Sequence, residues 1–409
     1  MIDSDINETL KLVHECILPK LYKTNEECAV HPEYEVRLKI LDQKFHQLLR
    51  FMGAIQLKEE ITVLASLKIL YEELECDGPW NNLSCKEFAK KLNGTFELFY
   101  GITLKNIFSS DTFDCQKIFD ACLKIIHEKI SMENFKYYPS LVEVYCIILQ
   151  SSKEYNLSLN PPKVLPVSLY LIDDYINSNR IKGLKGLCAV LKCLEPQTFS
   201  DGNYYDVIYR SLKNKVSEKD LEITKPLLDC LLLLLKILPQ DVKSTKMDDI
   251  LSVALEQLYI ESNLYRKALL LNFLKNIIEM HGVSCVKRKK FKHVFCDNLD
   301  ICCNDAVAEI LLSDLLRCFE MWIRHCWCVW KLSTDQKLLS LLVKLLYVTT
   351  EEYWTKIAHL IITLIKLCSV EERKQISENL NTSKFCNSKF LERLELIKRE
   401  IDKQIEIVY

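Results

Sequence analysis

Sulfur and imidazole groups are the first candidates for chemistry in this chain. His293, Cys296, Cys302, Cys303, His325, Cys326 and Cys328 crowd toward the C-terminal end. Zinc takes four such ligands, usually from spaced Cys pairs on a knuckle. Here Cys302 and Cys303 are adjacent, and one residue separates Cys326 from Cys328 inside the apolar run MWIRHCWCVW. Helical residues two apart point away from each other. The spacing therefore reads as buried structural thiols. A metal-dependent enzyme is a reading that only this cluster carries.

Asp173-Asp174 is a paired carboxylate. General acid–base work needs two carboxyls facing each other across a substrate, and adjacent residues at a helix end do not do this. The pair reads as structural. One acid accepts backbone N–H groups, or meets Arg180 or Lys182 from repeat to repeat. Lys287-Arg288-Lys289-Lys290-Phe291-Lys292 is the basic run. It reads as a solvated loop between helices or as a nuclear-localisation or anion-binding patch. Trp322, Trp327, Trp330 and Trp354 lie close together in sequence with Phe319, Met321 and Tyr353. Such aromatics are repeat-core filler or, where exposed, a candidate partner surface. The chain holds no G-x-x-x-x-G-K-[ST], G-x-G-x-x-G, G-x-S-x-G or H-E-x-x-H. The expectation is a protein with no catalytic residue, no cofactor and no small-molecule substrate.

These residues need elements to position them. PPKVLPVSLYLIDDYINSNRIKGLKGLCAVL, Pro161 to Leu191, reads as two helices and a turn. Leu165, Leu169, Ile172 and Ile176 share one helical face. Pro166 is placed in the first turn, where its missing N–H is harmless. Asn177-Ser178-Asn179 reads as the turn, and Arg180 as the start of the second helix, with Ile181, Leu184, Cys188 and Leu191 on its face. Gly183 and Gly186 fall inside that helix, where a glycine costs roughly 1 kcal/mol. Two so close together predict a close helix–helix approach.

The chain has 409 residues, 49% of them hydrophobic, with only 8 Gly and 10 Pro. That is ample core material and too few breakers for an all-β fold. All prolines lie at or before Pro239, and the rest of the chain has a single glycine, Gly282. Continuous helix is expected there. The net charge of −2 does not suggest binding to nucleic acid. The 19 cysteines show no disulfide framework. MIDSDINETL has neither a basic nor an apolar signal region, so a reducing cytoplasmic setting, or also a nuclear one, is expected. The apolar runs Leu231–Leu235 and Leu360–Leu367 are too short to span a membrane.

Amphipathic helices are read over Asp5–Lys23, Tyr34–Met52, Leu57–Glu75 and Asp111–Ile130. The first clear breaker is Cys76–Asn82, with Ser84 and Glu87 as a capping box after it. The polar stretch 151–162 marks the main boundary, giving an N-terminal helical region over 1–150 and a repeat region over 151–409. Second helices of pairs are read near Arg180, Ile223, Arg266, Ala306 and Glu352. Steps of about 43 residues suit HEAT or armadillo units. Asp248–Met280 is the clearest second copy. Ser388–Ile407, with Leu391, Leu394, Ile397 and Ile401 on one face, reads as the capping helix of a stacked array. The fold class is all-α, an α-solenoid of degenerate HEAT/armadillo-like repeats.

LPVSLYLIDDYINSNRIKGLKGLCAVL, with its Asp-Asp and Lys-Gly pairs, resembles the TELO-two-interacting protein two family. The resemblance is clearest over Pro161–Val216 and runs more weakly to about Val348. It implies a non-enzymatic scaffold, the small subunit of the TTT co-chaperone complex. The implied partners are the large first TELO-two-interacting subunit and the TELO-two protein. The implied clients, reached indirectly, are the phosphatidylinositol-3-kinase-related kinases. Pro166, Asp173, Asp174, Lys182 and Gly183 match its motif and shape a repeat or an interface, with Arg180 beside them. The alternative is a transport or cargo adaptor that uses Lys287, Arg288, Lys289 and Lys290 as a docking signal.

Overall fold

The structure, a computed structural model, describes residues 2–22, 30–53, 60–194, 203–381 and 388–406. Among them helix is the only extended regular structure, in 18 segments joined by turns and short 3-10 stretches. The ends of the helices follow local chemistry. Asn82, Asp114, Asp220, Asn263 and Asn304 each accept a backbone N–H of a first helical turn. The cap at Leu83–Tyr100 is therefore Asn82, bonded to the Cys85 N–H, and Ser84 lies inside the helix. Gly101 ends that helix at φ 71°, a left-handed conformation that glycine adopts without strain.

The chain forms two compact units, Met1–Ser211 and Leu212–Tyr409. The first holds α1 (Ile2–Cys16), α2 (Pro32–Met52), α3 (Ile61–Glu75), α4 (Leu83–Tyr100), α5 (Cys115–Lys129), α6 (Pro139–Glu154), α7 (Pro161–Asp173) and α8 (Asn177–Cys193). The first helix thus stops at Cys16, short of the expected end, and Lys23 lies outside the described residues. Helices pack on the next and next-but-one in sequence: α1 on α2 and α3, α2 on α4, α3 on α5, α6 on α8. The stretch 151–162, read above as the main boundary, runs from the last turn of α6 into the first turn of α7, inside this unit. Its least soluble-looking feature is polar. Arg37 and Glu73 are fully buried and 2.6 Å apart. Arg37 also reaches the Cys16 carbonyl and Asn81, and Glu73 accepts the Leu18 N–H. One ion pair thereby joins the ends of α1, α2, α3 and the Cys76–Asn82 breaker.

α9 (Tyr204–Asn214) carries the chain into the second unit. There follow α10 (Leu221–Ile237), α11 (Gln240–Ile260), α12 (Leu264–His281), α13 (Lys290–Ile301), α14 (Asp305–Cys326), α15 (Leu332–Val348), α16 (Glu351–Lys366), α17 (Val370–Asn381) and α18 (Ser388–Glu406). Here the packing is a regular ladder. α10, α12, α14, α16 and α18 touch in succession, α11, α13 and α15 form a second row, and successive helices join the rows. This two-row stacking is what an α-solenoid requires. The helices starting at Asn177, Leu221, Leu264, Asp305 and Glu351 lie one to three residues before the starts read from sequence. α18 buries Phe390, Leu394, Ile397 and Ile401, with Phe390 in place of the expected Leu391. Ile407 lies outside the described residues.

Cysteines fill the stripes as small apolar groups. Burial pushes the Cys122 and Cys146 thiols up to about 12, so neither ionises near neutral pH.

Candidate protein-interaction site

The α7–α8 hairpin is built on a close approach. A Cβ on Gly183 would sit 2.7 Å from the Ile172 nitrogen and 2.7 Å from the Ser168 carbonyl oxygen. These are backbone atoms of α7, which cannot swing aside. A Cβ on Gly186 would come 3.0 Å from the Ser168 Oγ. The two glycines are therefore the contact surface between the helices, as their spacing predicts.

The turn itself falls earlier than expected. α7 ends at Asp173, and Asn177-Ser178-Asn179 form the first turn of α8, so Arg180 lies inside that helix and is buried. Pro166 is the sixth residue of α7 rather than a first-turn residue. It removes one early hydrogen bond, that to the Pro162 carbonyl, and α7 continues beyond it. Pro226 takes the same place in α10.

Asp174 is the centre of the turn. Its side chain is 1% exposed and lies 2.8 Å from the Lys136 ammonium. It accepts the Tyr175 N–H at 2.8 Å and the Asn179 side-chain amide at 2.7 Å. The expected link from repeat to repeat exists, but its cation is Lys136, on the 3-10 turn Phe135–Tyr137 before α6. Lys182 instead pairs with Glu143 of α6 at 2.8 Å. Asp173 closes α7 on the exposed side.

This arrangement builds an aromatic edge. Lys136 lies over the Tyr175 ring at 4.0 Å, and Tyr175 is 65% exposed. The same 3-10 turn receives the Leu21 N–H at the Tyr137 carbonyl, and Lys20 lies over the Tyr137 ring at 5.3 Å. Met132, at the start of that turn region, is 69% exposed. A buried carboxylate thus holds a lysine, and the lysine holds an exposed tyrosine. Sequence reading missed Lys136, Tyr175 and Met132. Their partners are distant in sequence, and the one local signal was the Tyr138-Pro139 helix start.

The second unit contains the copy of this turn. Glu261 accepts the Ser262 and Asn263 N–H groups, both at 2.9 Å, and pairs with Arg266. Arg266 also donates to the Val216 carbonyl at 2.6 Å. Burial alone would raise the Glu261 carboxyl. The Asn263 N–H and Arg266 more than reverse this and hold it below its ordinary value of 4.5.

The other sequence candidates separate. Trp322 is buried among Phe291, Phe295 and Phe319, and Trp330 is buried too. Trp354 is half-buried near Arg393, while Trp327 is 57% exposed. The four tryptophans therefore do not form one surface. In the basic run, Arg288 pairs with Asp248 at 3.1 Å and Lys290 with Glu256 at 2.8 Å. Lys287 and Lys289 are exposed, with no ion-pair partner among the described residues. The Cys/His cluster is not assembled: among the described residues no group of three or more His, Cys, Asp and Glu is placed to hold a metal ion. No described helix is long and apolar enough to cross a membrane.

Known proteins can now be set beside this geometry. No protein-family model matches the chain. Human TELO2-interacting protein 2 is 21% identical over 259 residues, 61% of this chain and 51% of that protein. Its rat counterpart is 21% identical over 233 residues, 54% of this chain and 46% of the relative. The mouse counterpart is 22% identical over 192 residues, 45% and 38% respectively. The chain resembles TELO2-interacting protein 2. It spans about half the length of the curated relatives it matches. Among solved structures, an engineered protein has a TM-score of 0.48 at 13% identity, covering 97% of this chain and 99% of that one. Kap121p bound to Nup53p also has 0.48, at 11% identity, covering 99% of this chain and 37% of that one. The fold assignment rests on the helices described above.

Proposed function

We propose that this chain is a non-enzymatic protein–protein scaffold that binds within a TELO2-containing assembly; the name of its relatives says of them that they interact with TELO2. The partners proposed are the TELO2 protein and the large first TELO-two-interacting subunit. Through them it supports the phosphatidylinositol-3-kinase-related kinases. The observation that carries this reading is the α7–α8 hairpin. The residues that bear the resemblance, Asp174 and Gly183, fix a turn whose outer side is an exposed aromatic edge. Exposed Tyr and Met anchors beside a rigid support suit a protein partner. Stacked helix pairs supply that support. The contacts of Asp174 with Lys136, the Tyr175 N–H and Asn179 support a structural role for that carboxylate. The test is affinity purification of the tagged intact chain from cells, followed by mass spectrometry. Enrichment of TELO2 is expected; a folded, well-expressed chain that recovers no TELO2 would sink the proposal.

A further inference from the structure

In the second row of the second unit, α11 stops short beside α13. Lys290, the first residue of α13, pairs with Glu256 at 2.8 Å. Glu256 lies one turn before Ile260, the last residue of α11. One turn after Lys290 on α13 is Val294, and Ile260 and Val294 line the same cavity. From Val294 the helix α13 runs on to Ile301, about 10 Å at 1.5 Å per residue. The two helices therefore form a step. The last turn of α11 is its floor, and the outer face of α13 is its wall.

A cavity of about 500 Å³ sits in that step. Tyr259 and Ile260 line it from α11, and His293, Val294 and Asp297 from α13. Tyr259 is 63% exposed and Ile260 70%, two large apolar side chains in succession left in water. The charges around them are mostly spent. Glu256 and Lys290 hold each other, Glu261 holds Arg266, and Asp300 holds Lys344 at 2.9 Å. Lys267 of α12 is buried and donates to the Asn298 side chain at 3.0 Å. Asp297 acts on Lys267 only from beyond ion-pair reach. Asp297 is exposed, with no ion-pair partner among the described residues. The step thus offers apolar surface and one open carboxylate.

We propose that this step docks a short segment of a protein partner that presents an arginine and a large apolar side chain on one face. The apolar side chain fills the cavity against Tyr259, Ile260 and Val294. The guanidinium pairs with the Asp297 carboxylate through its planar fork and packs on the Tyr259 ring. A lysine would make the charge contact without the fork or the flat face, so arginine is the better fit. Nothing here rests on the TELO2 reading, whose surface belongs to the first unit.

The experiment selects a phage library of random dodecapeptides on the folded full chain. The peptides that win are synthesised and measured by fluorescence anisotropy. Winners should share an arginine close to a Leu, Ile, Met or Phe, and their binding should weaken as salt is added. Asp297→Lys and Tyr259→Ser should each weaken them about tenfold or more. Both side chains are exposed, so both variants should keep the parent circular dichroism. No winners, winners without arginine, or equal binding to the variants overturns the proposal. A dimer of the parent that Tyr259→Ser abolishes would give the step to a second copy of the chain instead, and overturns it too. An arm on the parent chain alone decides even if a variant fails to fold. A benzophenone placed at the apolar position of a winner should cross-link to the tryptic peptide Met247–Arg266 or His293–Arg317. Cross-linking elsewhere overturns the proposal.

Discussion

The turn at Asp174 and the turn at Glu261 solve the same problem with different partners. In each, an acid after the first helix accepts at least one backbone N–H and meets a cation. Glu261 uses Arg266, five residues on and almost fully buried, which also reaches back to Val216. Asp174 uses Lys136, whose side chain is 29% exposed and lies under Tyr175. The second turn is closed on itself, while the first turns its cation outward and supports an aromatic surface. One repeat skeleton therefore yields a closed lock in one unit and an exposed aromatic edge in the other.

Substitutions can break this contrast, and the buried lock should fail hardest. Arg266→Met leaves Glu261 buried without its cation and is expected to cost about 3–5 kcal/mol, read as a lowered urea midpoint. Adding Glu261→Gln should recover part of that loss, and no recovery would mean that the arginine acts through packing alone. Gly183→Ala should follow, at about 1–3 kcal/mol, because the new methyl meets backbone rather than a movable side chain. A variant as stable as the parent would show that α7 and α8 do not pack this closely. Asp174→Asn keeps an acceptor for the Tyr175 N–H and loses the lysine pair, with an expected cost of about 1 kcal/mol.

Acid separates the lock from the rest of the molecule. The Glu261 carboxyl is held below 4.5 in the folded chain, so its stabilisation is complete above the unfolded value. That stabilisation is lost as pH falls through the folded value. The urea midpoint should therefore drop below about pH 4.5, and drop less in the Glu261→Gln variant. Equal slopes for both proteins would remove Glu261 from the account. The smallest effect belongs to the basic run. Lys287→Glu with Lys289→Glu should change stability by no more than about 0.5 kcal/mol, since both side chains are exposed.

Helix periodicity and the repeat step were legible in the sequence because they depend on local spacing. The starts near Leu221, Leu264, Asp305 and Glu351 needed only apolar faces and polar turns. Gly183 was legible for the same reason, since two helix-interior glycines have few other uses. The partner of Asp174 was not. Arg180 and Lys182 are its neighbours in sequence, but Lys136 reaches it from an earlier helix pair, and only the packing of α6 against α8 brings that turn close. The tryptophans failed for a related reason. Residue type does not say where α14 ends or which side faces inward, so Trp322, on α14 and buried, and Trp327, in the 3-10 turn after it and exposed, looked equivalent.

The central claim is that the edge around Asp174, and not the basic run, receives the partner. The direct measurement compares TELO2 recovered with three tagged chains expressed at equal level: the parent, Met132→Asp with Tyr175→Asp, and Lys287→Glu with Lys289→Glu. The account predicts that the edge variant, folded by circular dichroism, loses TELO2 while the basic-run variant retains it. Retention by the edge variant together with loss by the basic-run variant would contradict the account and favour an adaptor that docks through Lys287 and Lys289.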